Sequence, residues 1–228
     1  MLKPALAIMS RVPSKKGKSR MSAALSPAQR EALQWAFLED LLEKVSLIKE
    51  FECYLAVTPP GELDKLAKKL EFGGQILPQS SGDLGQRMHD IALQLFLRGH
   101  APVILIGTDV PLLPPSYLLK ALHLLEQNDL VFGPALDGGY YLIGMRKFTA
   151  RVFKGISWGS ERVLGDTIKM CKENKLSFGL LDSLMDIDRP GDLPALMRQY
   201  ENKMIDTASI PERTIRFLKS INIKGFNI

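Results

Sequence analysis

Cysteine and histidine are scarce, with two and three copies in 228 residues. Cys53 lies in an apolar, strand-like run and Cys171 in a helical pattern. They are far apart and match no metal or redox spacing, so both are expected to be reduced structural thiols. No apolar run approaches the ~20 residues that a membrane helix requires. The chain passes from Met1-Leu2-Lys3-Pro4 straight into the apolar run ALAIM. The expectation is a cytoplasmic protein with no membrane span. The spacings of a Walker P-loop and of a dinucleotide-binding GxGxxG are missing as well. Neither sign of charge dominates: 30 Lys and Arg face 25 Asp and Glu, a formal +5. That excess is too small to make nucleic acid the expected partner.

What is present is a 46% apolar composition, enough for one α/β domain with a large core. The chain is organised around residues 102–145. PVILIG, at 102–107, is short, wholly apolar and rich in β-branched residues, the pattern of a strand covered on both faces. Its end delivers Asp109, and Pro111 stops the strand. Ligands of open α/β sheets collect beyond the carboxyl ends of the strands, so a lone carboxylate there is well placed for chemistry.

Residues 4–12 read as a first strand, followed by the loop PSKKGKSRM with Lys15, Lys16, Lys18 and Arg20 around one glycine. The loop suits nucleotide phosphates, and a basic surface patch competes with that reading. Ser26-Pro27-Ala28-Gln29 opens a helix to about residue 45. Trp35 and Phe37 fall on its packing side. Strands follow at 51–58 and 74–78, with a lysine-rich helix to about residue 70 between them. In QSSGDLGQRM, Asp83 either caps the next helix or, with Gln79 and Gly82, belongs to a turn that wraps a base or ribose. A helix from 115 to about 126 and a strand at 130–135 lead to Asp137-Gly138-Gly139. That turn is either a tight hairpin or a place where a substrate approaches bare backbone with Asp137 facing it. A strand at 140–145 comes next. Ser160 is expected to cap a helix running to about residue 174, and a strand to occupy 176–181. Asp186 and Asp188 lie on one side of an extended segment ahead of a helix begun near Pro190, so a second carboxylate is expected opposite Asp109. Residues 201–228 read as a C-terminal tail with one helix after Pro211. They carry no recognisable chemistry, and residues 1–200 form the expected domain.

Taken in order, QSSGDLGQRM, IGTDVPLL, GPALDGGYYLIG, ISWGSERVL and DIDRPGDL resemble the bacterial DUF2064 family. That family is similar to nucleotide-diphospho-sugar transferases and to molybdenum-cofactor and phospholactate nucleotidylyltransferases. The resemblance covers residues 5–200. It implies a GT-A, Rossmann-like three-layer α/β sandwich with a mostly parallel central sheet, a nucleotide donor, a small-molecule acceptor, and Mg²⁺ or Mn²⁺ as cofactor. It further implies that Asp109 and Asp188 bind the metal, that Lys18 and Arg20 bind nucleotide phosphates, and that Asp137, Gly138 and Gly139 bind the acceptor. Asp109, Asp137 and Lys18 then form the catalytic set, while Gln79, Gly82 and Asp83 belong to the nucleotide site. The family's PxPGxxKTRL loop stands here as PSKKGKSRM, one residue shorter. The first expectation is a metal-dependent glycosyltransferase using a nucleoside-diphosphate sugar. Its rivals are a nucleotidylyltransferase that releases pyrophosphate and an inactive nucleotide-binding protein.

Overall fold

Seven strands, β1 (Ala5–Arg11), β2 (Glu52–Thr58), β3 (Gln75–Pro78), β4 (Val103–Gly107), β5 (Leu130–Pro134), β6 (Tyr140–Met145) and β7 (Phe178–Leu180), form one sheet. The computed structural model, which describes residues 3–221, orders them β3-β2-β1-β4-β6-β5-β7. Only β6 runs against its neighbours, β4 and β5. It reaches β5 through the short turn at 135–139, and a parallel pairing would need a crossover of a dozen or more residues. The sheet is therefore mostly parallel, and PVILIG lies at its centre as expected.

Alternation along β4 divides the core. Val103 and Leu105 join one apolar cluster with Ile91 and Leu95 of α3 (Leu84–Leu97) and Cys171 of α5 (Val163–Glu173). Ile104 and Ile106 join another with Leu38 and Leu41 of α1 (Pro27–Ser46) and Leu118 of α4 (Pro115–Leu124). All four β4 side chains are essentially excluded from water, each stabilising the fold by roughly 1.5–3 kcal/mol. Helices thus cover both faces of the sheet in three layers, the α/β architecture expected.

Local signals explain most boundaries. Ser26 Oγ accepts from Gln29 N, Gln29 Oε1 accepts from Ser26 N, and Pro27 occupies the first turn, so α1 begins where the capping residues place it. Ser160 does not cap α5: its hydroxyl donates to Ser157 O at 2.8 Å and accepts from Arg162 N, closing a turn of its own, and the helix starts at Val163. The lysine-rich helix between β2 and β3 forms as α2 (Leu63–Lys69), and strand β7 spans three residues rather than six. The helix expected near Pro190, α6 (Asp192–Glu201), begins two residues later.

The expected helix after Pro211 forms as α7 (Glu212–Ser220). Ile215 and Leu218 share a third apolar cluster with Leu33 and Phe37 of α1 and Leu193 and Leu196 of α6. The last residues of the expected tail, 222–228, lie outside the described residues.

Beneath this cluster Lys44 of α1 is buried and donates to the carbonyl oxygens of Pro111 and Ser209. Burial lowers its ammonium to about 8, partly opposed by the nearby Asp40. A neutral amine keeps two N–H groups, enough for both carbonyls. Between about pH 8 and the ordinary lysine value of 10.5, the unfolded chain holds a proton that the folded chain has released. Stability should therefore rise with pH across that window. Urea titrations of wild type and Lys44→Met should show this rise, roughly 3 kcal/mol at most, in the wild type alone; parallel curves would contradict it.

Candidate active site at the carboxyl ends of the strands

From β1 the sheet grows outward through β2 and β3, and the chain then returns to lay β4 on the other side of β1. The crevice at such a reversal, beyond the carboxyl ends of β1 and β4, is where α/β sheets bind ligands. Three segments meet there: the basic loop after β1, the turn carrying Asp109 after β4, and the extended stretch before α6. A backbone bond from Ile187 N to Asp109 O, 2.8 Å, ties the last two together.

The basic loop folds back onto α1. Gln34 Nε2 donates to Ser14 O and Arg30 donates to Lys15 O. Gly17 lies so close to Gln34 that a Cβ would stand 2.0 Å from its Oε1, so a side chain there would push the Gln34 amide off Ser14. Lys18 follows in the left-handed region, φ 48°, and turns its side chain inward until only 6% of it is exposed. Its Nζ donates to Ile187 O at 2.6 Å and lies 2.9 Å from Asp109 Oδ1 and 3.5 Å from Asp188 Oδ1. An ammonium has three protons, so no donor is left over. Arg20 stays largely exposed while its guanidinium bonds Asp188 Oδ2 at 2.6 Å. Lys15 and Lys16 face solvent.

Asp188 is thus gripped from two sides. Burial alone would raise its carboxyl, but Lys18 and Arg20 outweigh burial and hold it below the ordinary range. The same hydrogen bond and charge raise the Arg20 guanidinium. Asp192, at the start of α6, accepts from Asp188 N and Arg189 N and so fixes the backbone that presents Asp188. Asp186, left outside the nominated set, lies in the same field: burial first, then Asp137, raises its carboxyl. Its alternation with Asp188 in an extended stretch was the available signal.

The donors suit a hard divalent cation. Mg²⁺ is usually held by one or two carboxylates together with phosphate oxygens and waters, and Asp109 and Asp188 offer two carboxylates to one point in space. Among the described residues, no group of three or more His, Cys, Asp or Glu side chains could hold a metal.

The other nominated residues divide. Asp137 Oδ1 accepts from Gly139 N at 2.8 Å, closing the bulged β5–β6 hairpin, and its charge reaches both Arg20 and Asp186. Gly138, at φ 89°, packs so tightly on the backbone before α5 that a Cβ would stand 2.1 Å from Glu161 O. Asp83 is the N-cap of α3, its carboxylate accepting from Gln86 N, and Gly82 precedes it with φ 109°. Gln79 is buried, and its amide donates to Ser10 O and Ala56 O. It braces the ends of β1 and β2, and its Oε1 accepts from Arg87, so its side chain serves the framework of the turn expected to wrap a base or ribose. Trp158 lies against Gly85 and edge-on to Tyr140, joining the QSSGDLG, DGGYY and ISWGS stretches into one wall. A cavity of about 650 Å³ lined by Lys3, Phe51 and Cys53 opens at the opposite, amino ends of the strands and contains none of the nominated residues.

The chain is 29% identical over 192 residues to 3-phospho-D-glycerate guanylyltransferase of Phenylobacterium zucineum (strain HLK1), covering 79% of this chain and 84% of that one. Its fold matches a protein from Desulfovibrio desulfuricans G20, provisionally assigned as a nucleotide-diphospho-sugar transferase, with a TM-score of 0.90, 28% identity and full coverage of both chains. A cytidylyltransferase from Leptospira borgpetersenii shares the fold at a TM-score of 0.57 and 17% identity, covering 100% of this chain and 99% of that one. The profile of the family described as "Uncharacterized protein conserved in bacteria (DUF2064)" matches residues 41–160, more than half of the chain, and the chain belongs to that family.

Proposed function

We propose that this transferase moves a nucleotidyl group from a nucleoside triphosphate to a phosphorylated small-molecule acceptor and releases pyrophosphate. The observation that carries the reading is the closure of the basic loop over the Asp109 and Asp188 carboxylates at the sheet's reversal point. A leaving pyrophosphate carries more negative charge than a leaving nucleoside diphosphate, and Lys18 and Arg20 supply two cations where it would depart. The resemblance to a guanylyltransferase supports the same choice, which reverses the order of preference reached from the sequence.

In this reading an acceptor phosphate oxygen attacks the α-phosphorus, the bond to the bridging oxygen breaks, and pyrophosphate leaves with both electrons. The nucleophile is already anionic, so Asp137 need not remove a proton; it shapes the turn that receives the acceptor. Asp109 and Asp188 would hold Mg²⁺ or Mn²⁺, which when bound would supply positive charge against the charge accumulating on the phosphates. Arg20, the more exposed of the two cations, meets the phosphates first. Asp83 and Gly82 order the loop expected to face the base.

Glycosyl transfer from a sugar nucleotide is the second reading, favoured by the likeness to the D. desulfuricans protein. Products decide between them. Pyrophosphate from a triphosphate supports nucleotidylyl transfer; nucleoside diphosphate from a sugar nucleotide, with triphosphates left intact, overturns it.

A further inference from the structure

The Lys18 ammonium sits in a cage of three oxygens, two from carboxylates and one from the Ile187 carbonyl, with the Phe37 ring 5.4 Å from the nitrogen. These are the hard oxygen donors that a divalent cation takes. A cation bridging Asp109 Oδ1 and Asp188 Oδ1, the two carboxylate oxygens turned toward Nζ, would occupy the region that Nζ fills, and two like charges cannot share it at hydrogen-bonding distance. We propose that Lys18 is the resident counter-ion of the Asp109–Asp188 pair in the free protein, and that a divalent cation enters only as Lys18 leaves.

The departing ammonium needs a new anionic partner. On the nucleotidylyl-transfer reading, on which this inference rests, that partner is the phosphate chain of the nucleotide. Metal and nucleotide therefore bind together, and the metal alone binds poorly. The four-carbon lysine stem allows such a swing. The exposed Arg20 guanidinium remains at the mouth, bonded to Asp188 on the side away from Lys18. The exchange also keeps a bare pair of carboxylates from collecting metal when no substrate is present.

Mn²⁺ alone is the probe, its free concentration followed by electron paramagnetic resonance in protein without nucleotide. Wild type should bind weakly, while Lys18→Met should bind at least tenfold more tightly. Lys18→Gln removes the charge and is one bond shorter but keeps two N–H donors, and should gain similarly if Lys18→Met fails to fold. Adding Asp109→Asn to either variant should abolish the gain. Equal Mn²⁺ affinity in wild type and the folded variant, or tight binding by wild type alone, overturns the proposal. Titrating wild type with Mn²⁺ and GTP together tests the functional reading separately. A gain in the Lys18 variants without Mn²⁺-promoted nucleotide binding leaves the exchange standing and removes the catalytic reading; the reverse pattern does the opposite.

Discussion

Asp109→Asn should remain folded and lose roughly 10²–10⁴ in turnover, equivalent to about 3–5 kcal/mol of transition-state stabilisation. The backbone link from Ile187 N to Asp109 O does not involve the side chain and survives the change. The carboxylate is half exposed, so its ion pair with Lys18 is partly screened by water and its loss costs about 1 kcal/mol of stability or less. Lys18 keeps Ile187 O and Asp188 as acceptors. What asparagine cannot replace is the negative charge on the cation's side of the site, so nucleotide binding should also cease to depend on Mg²⁺. A folded variant with parental turnover and metal dependence would make Asp109 a turn residue only.

Asp40→Ala should destabilise the fold by roughly 3 kcal/mol or more, although Asp40 is not among the nominated site residues. Its carboxylate is 3% exposed and accepts from Arg213 N and Thr214 N at 2.9 Å and from Thr214 Oγ1 at 2.7 Å. These amides belong to the first turn of α7, whose own N-cap is Pro211 and offers no side-chain acceptor. Asp40 thus supplies from α1 the cap that a local Ser or Asp would normally give. Alanine leaves two amides and a hydroxyl unmatched and takes away a negative charge that helps keep Lys44 protonated. The urea midpoint should fall with an unchanged m-value. A shift worth less than about 0.5 kcal/mol, the size of an ordinary surface substitution, would mean that α7 does not depend on this cap.

These residues mark where the sequence could be read and where it could not. PVILIG was legible because an unbroken apolar run of that length suits a doubly covered strand, and Asp109 because it is the lone acid at that strand's end. The Ser26–Gln29 cap was legible because both partners lie within four residues. Lys18 was visible as a charge in a basic loop, but its inward turn depends on Asp188, 170 residues away. The spacing of residues 13–21 could not reveal that. Gln79 sits at a strand end beside a Ser/Gly turn, which looks like a ligand loop. Only the pairing of β1, β2 and β3 shows its amide spent on two carbonyls. Asp40 and Lys44 lie in a long amphipathic helix where charge normally means solvent, and their burial follows from α7 returning over α1. Ser160 misled for the opposite reason, since a local serine turn and a helix cap begin with the same residue type.

Phosphorus NMR of the protein with Mg²⁺, each nucleoside triphosphate and a phosphorylated small-molecule acceptor tests the central claim most directly. With one triphosphate, GTP being the first to try, the γ-phosphate signals should give way to pyrophosphate. A pair of coupled resonances from a new diphosphate linkage should appear in equal amount, and with Asp109→Asn both should form roughly 10²–10⁴ times more slowly. A nucleoside diphosphate released from a sugar nucleotide, with all triphosphates unchanged under the same conditions, would contradict nucleotidylyl transfer at this site.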